Sequence, residues 1–217
     1  MNTNAKAVKV LCFGDSNTYA RERTTEIRGR YASDIRWTGV FQRELGDDYY
    51  VIEEGLGGRT IALDEQARND RNGLRYLEPC LQSHDPDILV VMLGTNDLKN
   101  EFDRTAVEIA DSLKSYQLLV KKHAPQAKIL VVAPAIIDPE QPIFQLELVG
   151  KFGPDSEKSV QLVRELNRVA SEIGSGFVDS NEYVVQGADG IHWTKESHEK
   201  FGVALADKIK SMVGSNG

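Results

Sequence analysis

Three short stretches of this chain are almost wholly apolar: Val8 to Phe13, Ile88 to Leu93 and Ile129 to Ala133. A strand on a half-solvated sheet alternates apolar and polar residues, whereas a parallel strand covered by helices on both faces does not. These runs therefore predict the inner strands of a parallel sheet. Tyr50 to Glu53 and Gly176 to Val178 read as two further strands. Helical patterns separate them. They run over Arg36 to Leu45, closed by Gly46, over Arg71 to Gln82, interrupted by Pro79, and over Ala106 to His123, Ser159 to Ile173 and Thr194 to Val213. Thr194 is the candidate N-cap of the last. In the third, Val107, Ala110, Leu113, Leu118 and Val120 recur near a 3.6 period, which predicts one amphipathic helix.

Regular alternation of strand and helix, with right-handed crossovers, predicts an α/β protein. The expected architecture is flavodoxin-like, a three-layer α/β/α sandwich with a five-stranded parallel sheet in the order 2-1-3-4-5. A length of 217 residues fits one domain over 1–217, with its core at about 8–213. Two connections exceed the usual loop length, Tyr19 to Ile35 and Pro134 to Pro154.

Composition narrows the function. There are 26 basic and 33 acidic residues, a net charge of −7, which argues against nonspecific nucleic-acid binding. The aliphatic runs are too short to span a bilayer, and no apolar leader precedes Val8. Cys12 and Cys80 make neither a disulfide framework nor a CxxC pair. His192 and His198 do not form an HExxH pattern, and no phosphate-binding glycine loop follows the first strand. The expectation is a soluble, cytoplasmic protein without metal, cofactor, nucleic-acid or membrane partner.

Sites in such sheets form at the carboxyl ends of the strands. Gly14-Asp15-Ser16-Asn17 follows the first strand, Gly55-Leu56-Gly57-Gly58 the second and Gly94-Thr95-Asn96-Asp97 the third, while Asp189-Gly190-Ile191-His192 precedes the last helix. Together they supply a nucleophile, Ser16, and a base, His192. Asp189, three residues earlier, can orient the imidazole. The Ser16 and Gly58 N–H groups and the Asn96 amide are candidate oxyanion donors. Each residue alone fits a blander role: Ser16 a turn, Asn96 a cap, His192 a satisfied core histidine. His84, His123 and His198 have no spacing that improves on surface or core roles.

The four segments in this order resemble the four sequence blocks of the SGNH, or GDSL-type, esterase family. The resemblance runs from about Val8 to Val213. Arg36-Trp37-Thr38-Gly39-Val40, Val51 to Leu56, Met92 to Asp97 and Phe144-Gln145-Leu146 are similar to its small bacterial arylesterase branch, which also transfers acyl groups to alcohols and peroxide. The resemblance implies the SGNH hydrolase fold and a catalytic triad of Ser16, His192 and Asp189. It implies an oxyanion hole of Ser16, Gly58 and Asn96, and substrate contacts at Asn17, Tyr19, Phe144 and Ile191. It further implies hydrolysis of a small ester without cofactor, and a homo-oligomer. Asn17 stands where the family usually has Leu, and Tyr19-Ala20 where the arylesterases have Trp-Gly. Carbohydrate O-deacetylase, thioesterase and acyltransferase remain alternatives within the class, because one acyl-enzyme serves them all. A silent ligand-binding α/β domain is the alternative outside it.

The two long connections carry further expectations. The apolar content of Pro134 to Pro154 suggests that Phe144 reaches the acyl site while the remainder covers a neighbouring subunit. Arg21, Arg23, Arg28 and Arg30 fall in the other loop. They are either solvated or edge the site mouth and favour anionic esters.

Overall fold

Alternate residues of the inner strands feed two separate apolar layers, which is why those strands carry no polar face. The computed structural model of the chain describes residues 3–24 and 28–214. Its strands are β1 (Val8–Gly14), β2 (Arg21–Arg23), β3 (Arg28–Arg30), β4 (Tyr49–Gly55), β5 (Ile88–Met92), β6 (Lys128–Ala133) and β7 (Gly176–Asp179). Five form a parallel sheet in the order β4-β1-β5-β6-β7, the 2-1-3-4-5 arrangement expected. Leu11, Phe13, Leu89 and Val91 face one layer. It is completed by α3 (Gly73–His84), α4 (Ala106–Asp111), α5 (Lys114–His123) and α7 (Glu157–Glu172). Val10, Cys12, Val90 and Val132 face the other, against α2 (Trp37–Leu45) and α8 (Lys195–Gly214). Each fully buried aliphatic side chain contributes about 1.5–3 kcal/mol relative to exposure.

The register sets the site. Gly14 pairs with Gly55 on one side and Met92 on the other, so three strands end level and release their loops along one edge.

Three local expectations are corrected. The helix expected over Ala106 to His123 is two, α4 and α5. Ser112 returns its hydroxyl to the Glu108 carbonyl at 3.0 Å, and the Ser112 and Leu113 N–H groups reach back only three residues. This tightened turn rotates the two halves relative to each other. Val107 and Leu118, expected on the buried face, are exposed, and Ile109 and Tyr116 are buried instead. The loop Tyr19 to Ile35 contains the antiparallel ribbon of β2 and β3. Pro134 to Pro154 contains a π-helical turn, Phe144–Leu148, leading into α6 (Val149–Phe152). Pro79 lies inside α3 on its exposed side. Among the described residues no helix is long and apolar enough to cross a membrane.

Candidate active site

At the end of β1 the chain turns sharply. The Asp15 carboxylate accepts from the Asn17 N–H at 2.9 Å and caps α1 (Ser16–Tyr19), a single turn that presents Ser16. The Ser16 hydroxyl lies 2.9 Å from His192 Nε2. On the other side of the ring, Nδ1 is 2.5 Å from Asp189 Oδ2. Asp189 Oδ1 accepts from the His192 and Ile191 N–H groups at 2.9 and 3.1 Å. Burial pushes the Asp189 carboxyl up, but the hydrogen bonds and charge of His192 outweigh it and hold the group below the usual carboxylate range. Asp189 is therefore an anion that fixes the ring and its tautomer. A serine, an imidazole and a carboxylate in line can pass a proton from the hydroxyl to Nε2.

The Asp189–His192 turn depends on Gly190. Its φ is +70°, and a Cβ there would lie 2.0 Å from the Asp138 carbonyl oxygen. The Asp138 N–H donates to the Gly190 carbonyl at 2.9 Å and the Ile143 N–H to that of Ala188 at 3.0 Å. The Pro134–Pro154 segment thus braces the turn that carries His192.

Gly58 and Asn96 meet Ser16 across the strand ends. The Leu56 N–H donates to the Gly14 carbonyl at 3.1 Å, and a Cβ on Gly57 would stand 3.8 Å from Ser16 Cβ. Gly58 has φ +85°, which leaves little place for a side chain. Asn96 sits on a 3₁₀ turn, Thr95–Leu98, directly after β5. Its amide donates to the Arg59 carbonyl at 3.1 Å and approaches Asp15 Oδ2 at 3.5 Å. Ser16, Gly58, Asn96 and His192 all line one cleft of about 470 Å³.

Of the four expected substrate contacts, Tyr19 and Ile191 line this cleft and Asn17 and Phe144 do not. Asn17 is buried. Its amide donates to the Ile191 carbonyl at 3.2 Å and its oxygen accepts from the Trp193 N–H at 3.1 Å. It clamps both neighbours of His192 to the nucleophile helix, a bond set that Leu at this position lacks. Phe144 is fully buried in the core beside Gly190 and Phe152, where it supports the His192 turn. Ile137, Ile143 and Leu148 are buried within the same subunit, so much of the apolar segment folds back on its own chain. Leu146 is 84% exposed.

Several residues that sequence reasoning passed over hold the Gly58 loop. Asp97 accepts from the Ile61 N–H at 3.0 Å, and the Tyr116 hydroxyl donates to the Ile61 carbonyl at 2.8 Å. The buried Arg59 guanidinium donates to the carbonyls of Gly14 and Glu54 and stacks 4.0 Å above the Phe13 ring. Burial pushes Asp97 up to about 8 and Asp15 up to about 6. The presence of Arg59 and Asp97 beside the site blocks was visible; their direction of bonding was not. His198 takes a core role. Its Nδ1 accepts from the Trp37 N–H at 3.3 Å, and burial pushes it down to about 3, so it stays neutral.

Among the described residues one trio has the ligand types and spacing to hold a metal, Glu54, Cys80 and His84, with donor atoms within 4.8 Å of one another. None of the three lines the cleft. Burial and the nearby Glu54 carboxylate push the Cys80 thiol up to about 11, and His84 Nε2 lies 3.0 Å from Glu54 Oε1. The trio is thus internally hydrogen-bonded, with a protonated thiol at neutral pH.

A parallel sheet with these four loops on one edge is the frame of a GDSL-type hydrolase. Residues 12–200 match the model of the GDSL-like lipase/acylhydrolase family, and the chain belongs to that family of carboxylic ester hydrolases. It is similar to the aryl esterase of M. smegmatis, with 36% identity, 94% of this chain and 99% of that chain covered and a TM-score of 0.87. The same four figures describe its similarity to Est24, a carbohydrate acetylesterase from Sinorhizobium meliloti. It is also 24% identical to an acetylxylan esterase of Xylanibacter ruminicola over 94% of this chain, which spans 43% of that protein's length.

Proposed function

We propose that the chain, acting as one domain, is a serine esterase for short-chain acyl or aryl esters. The observation that carries this reading is the hydrogen-bonded line Ser16–His192–Asp189, opening into the cleft that also holds Gly58 and Asn96. Ser16 Oγ attacks the ester carbonyl while His192 Nε2 takes its proton. Negative charge grows on the carbonyl oxygen, where the Ser16 and Gly58 N–H groups and the Asn96 amide stabilise it. His192 then protonates the departing alcohol, which leaves an acyl group on Ser16. Water, activated by the same imidazole, releases the acid. An alcohol or peroxide in place of water makes the second step an acyl transfer.

Similarity to an aryl esterase supports small aryl esters. Similarity to a carbohydrate acetylesterase and an acetylxylan esterase supports a second reading, O-deacetylation of sugars at the same site. A homo-oligomer is proposed as well. The exposed Leu146 on the π-helical turn before α6 is the residue such an interface would cover, and sedimentation at micromolar concentration tests it.

The test of activity is hydrolysis of p-nitrophenyl esters from acetyl to octanoyl, with acetylated sugars and acyl-CoA alongside. Acetyl and propionyl esters are expected to turn over fastest. Preferential deacetylation of sugars would favour the second reading, thioester cleavage would favour a thioesterase, and no turnover of any of them would overturn the proposal.

A further inference from the structure

Among the described residues, the cleft that holds Ser16 and His192 is lined by six basic side chains and by no aspartate or glutamate, on a chain where acidic residues outnumber basic ones by 33 to 26. The six come from four segments. Arg21 and Arg23 stand on β2, Arg68 and Arg71 on the loop before α3, Lys99 after the Asn96 turn and Lys151 on α6.

Most of this charge is answered from outside the lining. Glu147 pairs with Arg23, whose Nε is also 3.7 Å from Asp189 Oδ2. Glu65 grips Arg68 through two hydrogen bonds, of 3.1 and 2.6 Å, and also takes Lys99 at 3.4 Å. Asp70 pairs with Arg71 at 2.5 Å, and Glu101 approaches Lys99 at 3.7 Å. Among the described residues, neither Arg21 nor Lys151 has a carboxylate within ion-pair distance. Arg21 and Lys151 are exposed and both also line the adjoining hollow at the ribbon, which Glu22 and Glu147 share, so they stand at the mouth rather than the floor. Arg68, held by Glu65, packs its guanidinium 2.7 Å from where a Gly58 Cβ would be, next to the expected oxyanion donors.

Like charges gathered in one concave site repel each other and focus a positive field into it. That arrangement disfavours a cationic ligand, is indifferent to a neutral one and favours an anion. Resting on the esterase reading above, we infer that the preferred substrates are esters bearing a carboxylate, phosphate or sulfate group remote from the scissile bond, held at the cleft mouth by Arg21 and Lys151. The arginine supplies a planar fork for two oxygens of such a group and the lysine a mobile point charge. The arginines of the ribbon divide accordingly. Arg21 and Arg23 line the cleft, whereas Arg30 turns away to Glu53 and stacks on Tyr19.

The anion can sit on either side of the ester, and two size-matched pairs separate the sides. Mono-4-nitrophenyl glutarate against 4-nitrophenyl hexanoate places it on the acyl side. 4-Acetoxybenzoate against 4-acetoxybenzamide places it on the alcohol side. kcat/KM is measured for each at about 0.02 M and about 0.5 M salt, in wild type, in an Arg21→Ala, Lys151→Ala double variant, and in the charge-keeping Arg21→Lys, Lys151→Arg variant. With about two- to fivefold per partly exposed cation, the wild type is expected to prefer the anionic member of at least one pair by about tenfold at low salt. The preference is expected to shrink severalfold at high salt, to approach unity in the alanine variant and to survive in the charge-keeping one. Ratios at or below one in both pairs overturn the inference. So does a preference that the alanine variant retains, or an alanine variant that loses neutral and anionic turnover equally, since the cations would then serve every ester alike. Turnover of the neutral esters without charge preference defeats this inference alone, while absence of all turnover defeats the esterase reading beneath it.

Discussion

At the floor of the cleft, Ser16, Asn96 and His192, with Asp189 behind the imidazole, are each at least nine-tenths buried and fixed by hydrogen bonds to side chains and backbone. At its rim, Arg21 and Lys151 are exposed and lack carboxylate partners among the described residues. The floor is built from strand ends held level by the sheet, the rim from a two-stranded ribbon and a one-turn helix. A buried polar group must be paired or it costs about 1–3 kcal/mol, so each floor residue is tied to a partner of complementary type. A rim residue facing water has no such constraint, and its contribution lies in the sum of charge rather than in any one bond.

Substitutions at the floor should therefore be severe and rim substitutions mild. Ser16→Ala is expected to lower kcat by about 10⁶ with the fold intact, checked by steady-state kinetics and circular dichroism. Retention of more than about a tenth of the activity, a loss of only ~1.4 kcal/mol, would remove Ser16 from the mechanism. Asn96→Ala should lower kcat by about 10²–10³ with KM nearly unchanged, because its amide acts on charge that develops only in the transition state. A rise in KM alone would make Asn96 a substrate-binding or capping residue.

Asn17 sharpens the contrast, since it is buried like the floor yet absent from the cleft wall. Asn17→Ala leaves the Trp193 N–H and Ile191 carbonyl unpaired and should cost about 1–3 kcal/mol in denaturant unfolding. By loosening the His192 turn it should also lower kcat about tenfold with KM little changed. A large change in KM would restore the substrate contact that the sequence suggested.

Burial beside the floor also predicts a pH slope in stability. The native state keeps a proton on Asp97 up to about pH 8, whereas the unfolded chain releases it near 3.8. Between those values the folded form binds more protons, so stability falls as pH rises, by at most about 1.4 kcal/mol per pH unit. Asp15 adds to the same slope up to about pH 6. Asp189, held low, acts in the opposite sense and loses its contribution only under acid. Thermal unfolding from pH 5 to 8 should thus show a declining Tm in wild type and a flatter profile in Asp97→Asn. Parallel profiles would show that Asp97 is ionised throughout.

The same division explains what the sequence revealed. The apolar runs announced the sheet because burial on both faces leaves no room for alternation, and the order 2-1-3-4-5 followed. The candidate triad and oxyanion donors fell in four short blocks, three at strand ends and one before the last helix, where position in the chain implies position in space. What stayed hidden depended on direction. Asn17 looks outward in a motif but bonds inward, and Phe144 supports the Gly190 turn rather than lining the cleft. Ser112 split a helix by a local hydroxyl bond that the apolar period does not register. The cleft cations arrive from separate segments, and no spacing connects Arg21 with Lys99 or Lys151.

The most direct test of the account is chemical trapping of the intermediate. Wild-type protein is mixed with a short-chain p-nitrophenyl ester, quenched in acid within the first turnovers, digested and weighed by mass spectrometry. One acyl group is expected on the peptide carrying Ser16, and none in the Ser16→Ala protein. Turnover that leaves Ser16 unmodified, with the acyl group on another side chain, would contradict the assignment of this serine as the nucleophile.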